Sequence, residues 1–203
     1  MRRRKPMRHR VLPLIVIAAA LTTGCHPAMT TQTSKIQPPP ETLAVPLRFA
    51  RHNFAAHCYN TLSCKVVYDD YDFSPYDVDA PAPAPSSPNY REAWIPASYI
   101  VLHDFQAPAE VEWKSLDGVS HEAKVDMAVI FKDHLIWHKV PKSDMADFFR
   151  GPVAGNPSIF LEVNDHTINV YMGMLIPTRT EQIPGNKYSY GRDDLFLVWT
   201  RTY

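Results

Sequence analysis

Nine histidines and one run of interleaved acids and aromatics are the residues of this 203-residue chain best equipped for chemistry. His134 and His138 stand four apart, His52 and His57 flank the end of a candidate first strand, and His121 precedes Glu122 beside a turn. On a helix, residues four apart share a face and can share a metal. The segment Phe131 to Val140 reads instead as strand or hairpin, where that gap spreads the pair over roughly 13 Å. That is too far for one ion, so the histidines are expected to be partly exposed sheet residues, with no metal and no cofactor. The acidic-aromatic run comprises Tyr68, Asp69, Asp70, Tyr71, Asp72, Phe73, Tyr76, Asp77 and Asp79. Its oxygens suit calcium, but the glycine and terminal glutamate of an EF loop are missing. It reads either as a solvated loop or as a docking surface, because tyrosines bury large rigid area at low entropy cost and carboxylates steer a basic partner. The candidate partner-binding residues are therefore Tyr68, Asp69, Asp70, Tyr71, Asp72, Tyr76 and Asp77. Trp94 joins them, with Tyr90 and Tyr99 beside it.

Catalytic signatures do not appear. There is no G-x-S-x-G elbow, no H-E-x-x-H, no phosphate-cradling glycine loop and no dinucleotide fingerprint. An enzyme is not expected. The rival enzymatic reading is a hydrolase with an unfamiliar site built from His52, His57 or His121.

The elements that would position these residues begin after a distinctive N-terminus. Arg2, Arg3, Arg4, Lys5, Arg8 and Arg10 precede an apolar run from Val11 to Leu21, which leads through Thr22-Thr23-Gly24 to Cys25. Basic, apolar and small-residue regions in that order make a secretory signal, here residues 1–24. Its eleven apolar residues are too few for a spanning helix, which needs about 20. The stretch resembles a bacterial lipoprotein signal, with Thr22 where Leu or Val is usual. The resemblance implies acylation of Cys25 by chains such as palmitate, and two chains anchor a protein stably. His26 stands where an Asp would favour inner-membrane retention, so the periplasmic face of the outer membrane is the expected address. The alternative is a plain secreted protein cut near Ala20.

Without the signal, 15 basic residues face 21 acidic ones, formally −6. Nucleic-acid binding, which wants a basic face, is not expected. The 179 remaining residues suffice for one domain with its own core. Cys58 and Cys64, in an oxidising compartment, are best read as a disulfide, and a paired cysteine offers no thiolate nucleophile. Residues 25–45, rich in Thr, Pro and Gln, read as a flexible tether able to extend on the order of 60 Å. Residues 46–203 form the domain. Prolines at 81, 83, 85 and 88 exclude a central strand there and imply a surface loop.

Elsewhere the period is two. Leu47 to Arg51, Val111 to Lys114 and Ala123 to Met127 alternate, and Leu116-Asp117-Gly118 reads as a turn. Ile159 to Val163 and Thr167 to Leu175 flank Asn164-Asp165-His166 as a hairpin. Ile168, Val170, Met172 and Met174 share one face of its second arm, and Leu195, Leu197 and Trp199 share one in the last strand. Trp113 and Trp199 read as core. Cys64 to Tyr68 and Tyr99 to Leu102 are further strands. Ser143 to Phe149 reads as a helix with Ser143 as N-cap and Gly151 past its end. The fold class that follows is mainly β, an antiparallel sandwich-like domain with one short helix.

Several runs together carry a wider resemblance: His52 to Tyr68, Ala109 to Trp113, His121 to Asp126, Leu161 to Tyr171, Ile183 to Asn186 and Arg192 to Leu195. Over roughly Phe49 to Tyr203 the chain resembles the periplasmic immunity lipoproteins that accompany type VI secretion phospholipase effectors. The resemblance implies a non-catalytic inhibitor whose partner is the cognate lipase toxin and whose membrane contact is its lipid anchor. The alternative function is a structural or assembly lipoprotein of a secretion apparatus in the cell envelope.

Overall fold

Alternating apolar residues give this chain its sheets, and a computed structural model describes residues 34–37, 46–94, 101–146 and 155–203. In chain order the strands are β1 (Lys35–Ile36), β2 (Leu47–Arg48), β3 (Arg51–Tyr59), β4 (Thr61–Tyr68), β5 (Tyr71–Asp72), β6 (Val101–His103) and β7 (Ala109–Ser115). They continue with β8 (Ser120–Val125), β9 (Leu135–Ile136), β10 (Ser158–Asn164), β11 (Thr167–Gly173), β12 (Ile176–Pro177), β13 (Gly191–Arg192) and β14 (Leu195–Thr202). One sheet has the order β1-β14-β11-β10-β3-β6 and another the order β5-β4-β7-β8, while β2-β9 and β12-β13 pair separately. Phe54, Ile159, Leu161 and Val170 from the larger sheet share one core with Cys64, Val66, Val111 and Trp113 from the smaller. Each such side chain contributes roughly 1.5–3 kcal/mol by leaving water. The expected mainly β, sandwich-like class is what forms.

The expected hairpin spans β10 and β11, paired antiparallel from Ser158↔Gly173 to Asn164↔Thr167. On its other side β10 runs parallel to β3, from Asn53↔Ser158 to Tyr59↔Asn164, so the larger sheet is mixed rather than purely antiparallel. The chain passes from β3 to β4, and so from one sheet to the other, through Asn60 alone. Its positive φ of 51° is a conformation that asparagine tolerates. The Cys58–Cys64 disulfide closes this corner across a Cα separation of 6.4 Å.

Four expectations change. Leu195 and Leu197 pack in a second cluster with Trp94, Phe160 and Tyr171, whereas Trp199 lies in the main core. The register jumps from Val170↔Trp199 to Tyr171↔Leu197, and the extra residue, Val198, turns Trp199 onto the opposite face. Helix formation at 143–149 fails in its described part: Lys142 to Asp144 is a turn and Met145 bridges to Thr178. Asp144 instead accepts hydrogen bonds from the Thr180 N–H and hydroxyl, so tertiary contacts overrule the local signal. Residues 147–149 and Gly151 lie outside the described residues. The short helix is Met127–Ile130, capped by Asp126 through the Val129 N–H, where an end of β8 was expected. Within the expected tether, Lys35–Ile36 pairs with Trp199 and Thr200 of β14. The signal 1–24, Cys25 and Pro38 to Pro40 lie outside the described residues.

Candidate protein-binding surface

The acidic-aromatic run is built as a hairpin followed by a pinned loop. Asp69 and Asp70, with φ of 51° and 62°, join β4 to β5 in a two-residue turn in which Tyr68 opposes Tyr71. Both positions must be left-handed in such a turn, and aspartate accepts that more readily than most residues. Beyond β5 the chain stays against β4. The Phe73 N–H donates to the Val66 carbonyl, the Val66 N–H to Ser74 Oγ, and the Cys64 N–H to the Val78 carbonyl. Phe73 meets Phe54 edge-on at 4.7 Å and packs against the core. Asp72 accepts from the Ser74 N–H and Asp77 from the Asp79 N–H. The hydrogen bonds from Ser74 hold the Asp72 carboxyl below its ordinary range. On this scaffold Tyr71 is 52% and Tyr76 109% exposed, with Asp70, Asp72 and Asp77 exposed among them.

Two of the sequence-derived partner residues do not belong there. Tyr68 is 1% exposed because it shares the inward face of β4 with Cys64 and Val66. Its hydroxyl meets His52 Nε2 at 3.1 Å and its ring lies 4.4 Å from Phe54. Burial pushes its phenol well above the ordinary value. Trp94, 4% exposed, stacks on His57 at 4.4 Å on the far side of the larger sheet. Tyr90 is half-buried and bonded to Glu162, and Tyr99 lies outside the described residues.

The described histidines do not form one cluster, although His52 and His134 share Phe49 and Phe105 and the His121 and His166 rings meet at 5.3 Å. His52 is fully buried, and burial, then the nearby His134, lowers its pKa to about 4. His138 is buried rather than partly exposed, since it follows Trp137 out of β9 into the core. His134 sits in a turn at φ 51° against Phe49 and Phe105. Among the described residues, no three His, Cys, Asp or Glu side chains gather as metal ligands.

Sequence reading missed a serine–histidine contact. Ser115 Oγ lies 3.0 Å from His121 Nε2 and 2.5 Å from Asp117 Oδ1, and His166 Nε2 is 3.4 Å from Asp117 Oδ2. A hydrolytic triad needs its carboxylate on the histidine and its hydroxyl open to substrate. Here the carboxylate takes the serine, Ser115 is fully buried, and Trp113 stacks on His121 at 4.8 Å. The arrangement locks the β7–β8 turn. It is not the geometry of a hydrolytic triad.

A second missed feature is Glu162, fully buried on β10 facing away from the main core. Its oxygens accept from Tyr90, Arg91 and Asn169. The hydroxyl of Tyr171, at 3.4 Å, is pushed up to about 12 by burial first and then by the Glu162 charge. The signal available was a lone glutamate inside an otherwise apolar strand. No protein-family model, curated protein or solved structure matches the chain.

Proposed function

We propose that this chain is a membrane-tethered immunity protein of the periplasm that binds and neutralises a type VI secretion phospholipase, protecting the cell from its own toxin. The reading starts from the resemblance over Phe49 to Tyr203 and from the lipidation signal ending at Cys25. The observation that carries it here is the pinned loop on which Tyr71 and Tyr76 stand exposed among carboxylates. Such a loop is ordered before binding, so little entropy is lost on docking. Inhibition asks no chemistry of this chain. It asks only that a rigid surface cover the toxin's cleft, and an acyl anchor raises the inhibitor's effective concentration at the lipid under attack.

The test is the affinity of the purified domain for a type VI secretion phospholipase from the same cells. Tyr71→Ala with Tyr76→Ala should weaken binding by about 100-fold, the loss of two anchor residues, while the melting temperature stays within a degree or so. Unchanged affinity overturns the assignment of this surface. A wild-type domain that binds no lipase, in cells whose secretion stops when the gene is deleted, overturns the immunity reading in favour of an assembly lipoprotein.

A further inference from the structure

The proposed toxin surface leaves the Glu162 cluster unused. Glu162 Oε1 accepts from the Tyr90 hydroxyl at 2.5 Å and Arg91 Nε at 3.2 Å. Oε2 accepts from Arg91 Nη2 at 2.8 Å, Asn169 Nδ2 at 2.9 Å and the Tyr171 hydroxyl at 3.4 Å. The Arg91 guanidinium carbon lies 4.4 Å from the Tyr90 ring, 5.0 Å from Tyr171 and 5.8 Å from Trp94. A carboxylate offering both oxygens to one fork, walled by aromatic faces, is the receptor that a guanidinium fits best.

The receptor divides into a fixed half and a removable half. Glu162 and Asn169 are paired neighbours on β10 and β11, and Tyr171 lies two residues further along β11. Tyr90 and Arg91 arrive on one 3-10 turn, Tyr90–Ala93, none of whose own residues is buried, and the buried Trp94 caps its end. Beside Arg91 a groove of about 580 Å³ opens between this turn and the start of β14, and its wall includes Glu92, Asp193 and Asp194. Asp194 is already paired with Arg192 at 2.7 Å, and Glu92 and Asp193 concentrate cations at the entrance. A buried ion pair gives little net stability over an apolar replacement, so holding the turn down does not by itself require one.

We propose that the Glu162 cage is an arginine-binding site held shut by the chain's own Arg91. An arginine side chain of a partner protein takes Arg91's place against the fixed half, Glu162, Asn169 and Tyr171, when the 3-10 turn lifts away. The inference is independent of the toxin assignment, and its test uses no toxin.

Capped arginine (N-acetyl-arginine amide) is the probe, with capped lysine as control. In the wild-type chain, millimolar capped arginine should speed backbone amide exchange at residues 90–94, and capped lysine should not. Arg91→Ala removes the internal competitor and should bind capped arginine about tenfold more tightly than wild type by calorimetry, since the competent fraction rises. Adding Glu162→Gln to that variant should abolish the binding. A folded Arg91→Ala protein that binds no more tightly than wild type overturns the proposal. If that variant does not fold, wild-type exchange decides, and an unchanged rate at residues 90–94 overturns it.

Discussion

The outer faces of the two sheets carry charges in opposite ways. On the smaller sheet, Lys65, Glu110, Glu112, Glu122 and Lys124 stand in water across β4, β7 and β8, with Lys124–Glu110 at 2.7 Å and Lys65–Glu112 at 3.7 Å. On the larger sheet the corresponding face is covered by the 3-10 turn and Trp94, and its carboxylate is sealed against Arg91 at 2.8 Å. The ion pairs look alike on paper. They differ in what happens when a partner is lost, because water replaces it on one face and is excluded on the other.

The comparison breaks most sharply at Glu162. Glu162→Ala strands four donor side chains at once, Tyr90, Arg91, Asn169 and Tyr171, and should cost about 3 kcal/mol in denaturant unfolding, the low end for a buried pair, because Arg91 remains a third exposed and can rehydrate. A loss near zero would put the two faces in the same class. Acid separates buried from exposed groups next. His52 is held at about 4 when folded, against about 6.5 when unfolded. Stability is then fully present above pH 6.5 and falls as pH drops towards 4, by about 3 kcal/mol for this group. His52→Gln should flatten that part of the pH–stability curve, and an unaltered slope would contradict the burial argument. The smallest effect belongs to the exposed ladder. Lys124→Ala or Glu112→Gln should leave the unfolding midpoint where it was, and a clear shift in either would show that this face is not simply solvated.

Strands whose two faces differ were readable from sequence, and elements set by distant partners were not. β7 alternates buried and exposed through all seven residues, so Trp113 was placed correctly in the core. The same parity through Cys64 and Val66 puts Tyr68 inside, a signal outweighed by the neighbouring acids. In β10, six of seven residues are buried because the strand is covered on both faces. Period alone therefore says nothing of Glu162, of the parallel partner β3, or of the turn that covers it. Trp94 lies on no periodic element, and its contacts with His57, Phe160 and Tyr171, all distant in sequence, fix its place. The candidate surface was half legible: Tyr71 and Tyr76 follow from composition, but the Ser74 and Val78 contacts that pin them are tertiary.

The parallel pairing of β3 with β10 joins residues about a hundred positions apart, as Asn53 with Ser158 shows. Closing so long a loop costs entropy before any contact rewards it, and such topologies fold slowly. The hairpins β7–β8 and β10–β11 can zip up early from neighbouring residues, whereas the larger sheet waits for its most distant halves to meet. During that interval β3 presents an unmatched edge, which makes the newly made polypeptide a natural client for chaperones.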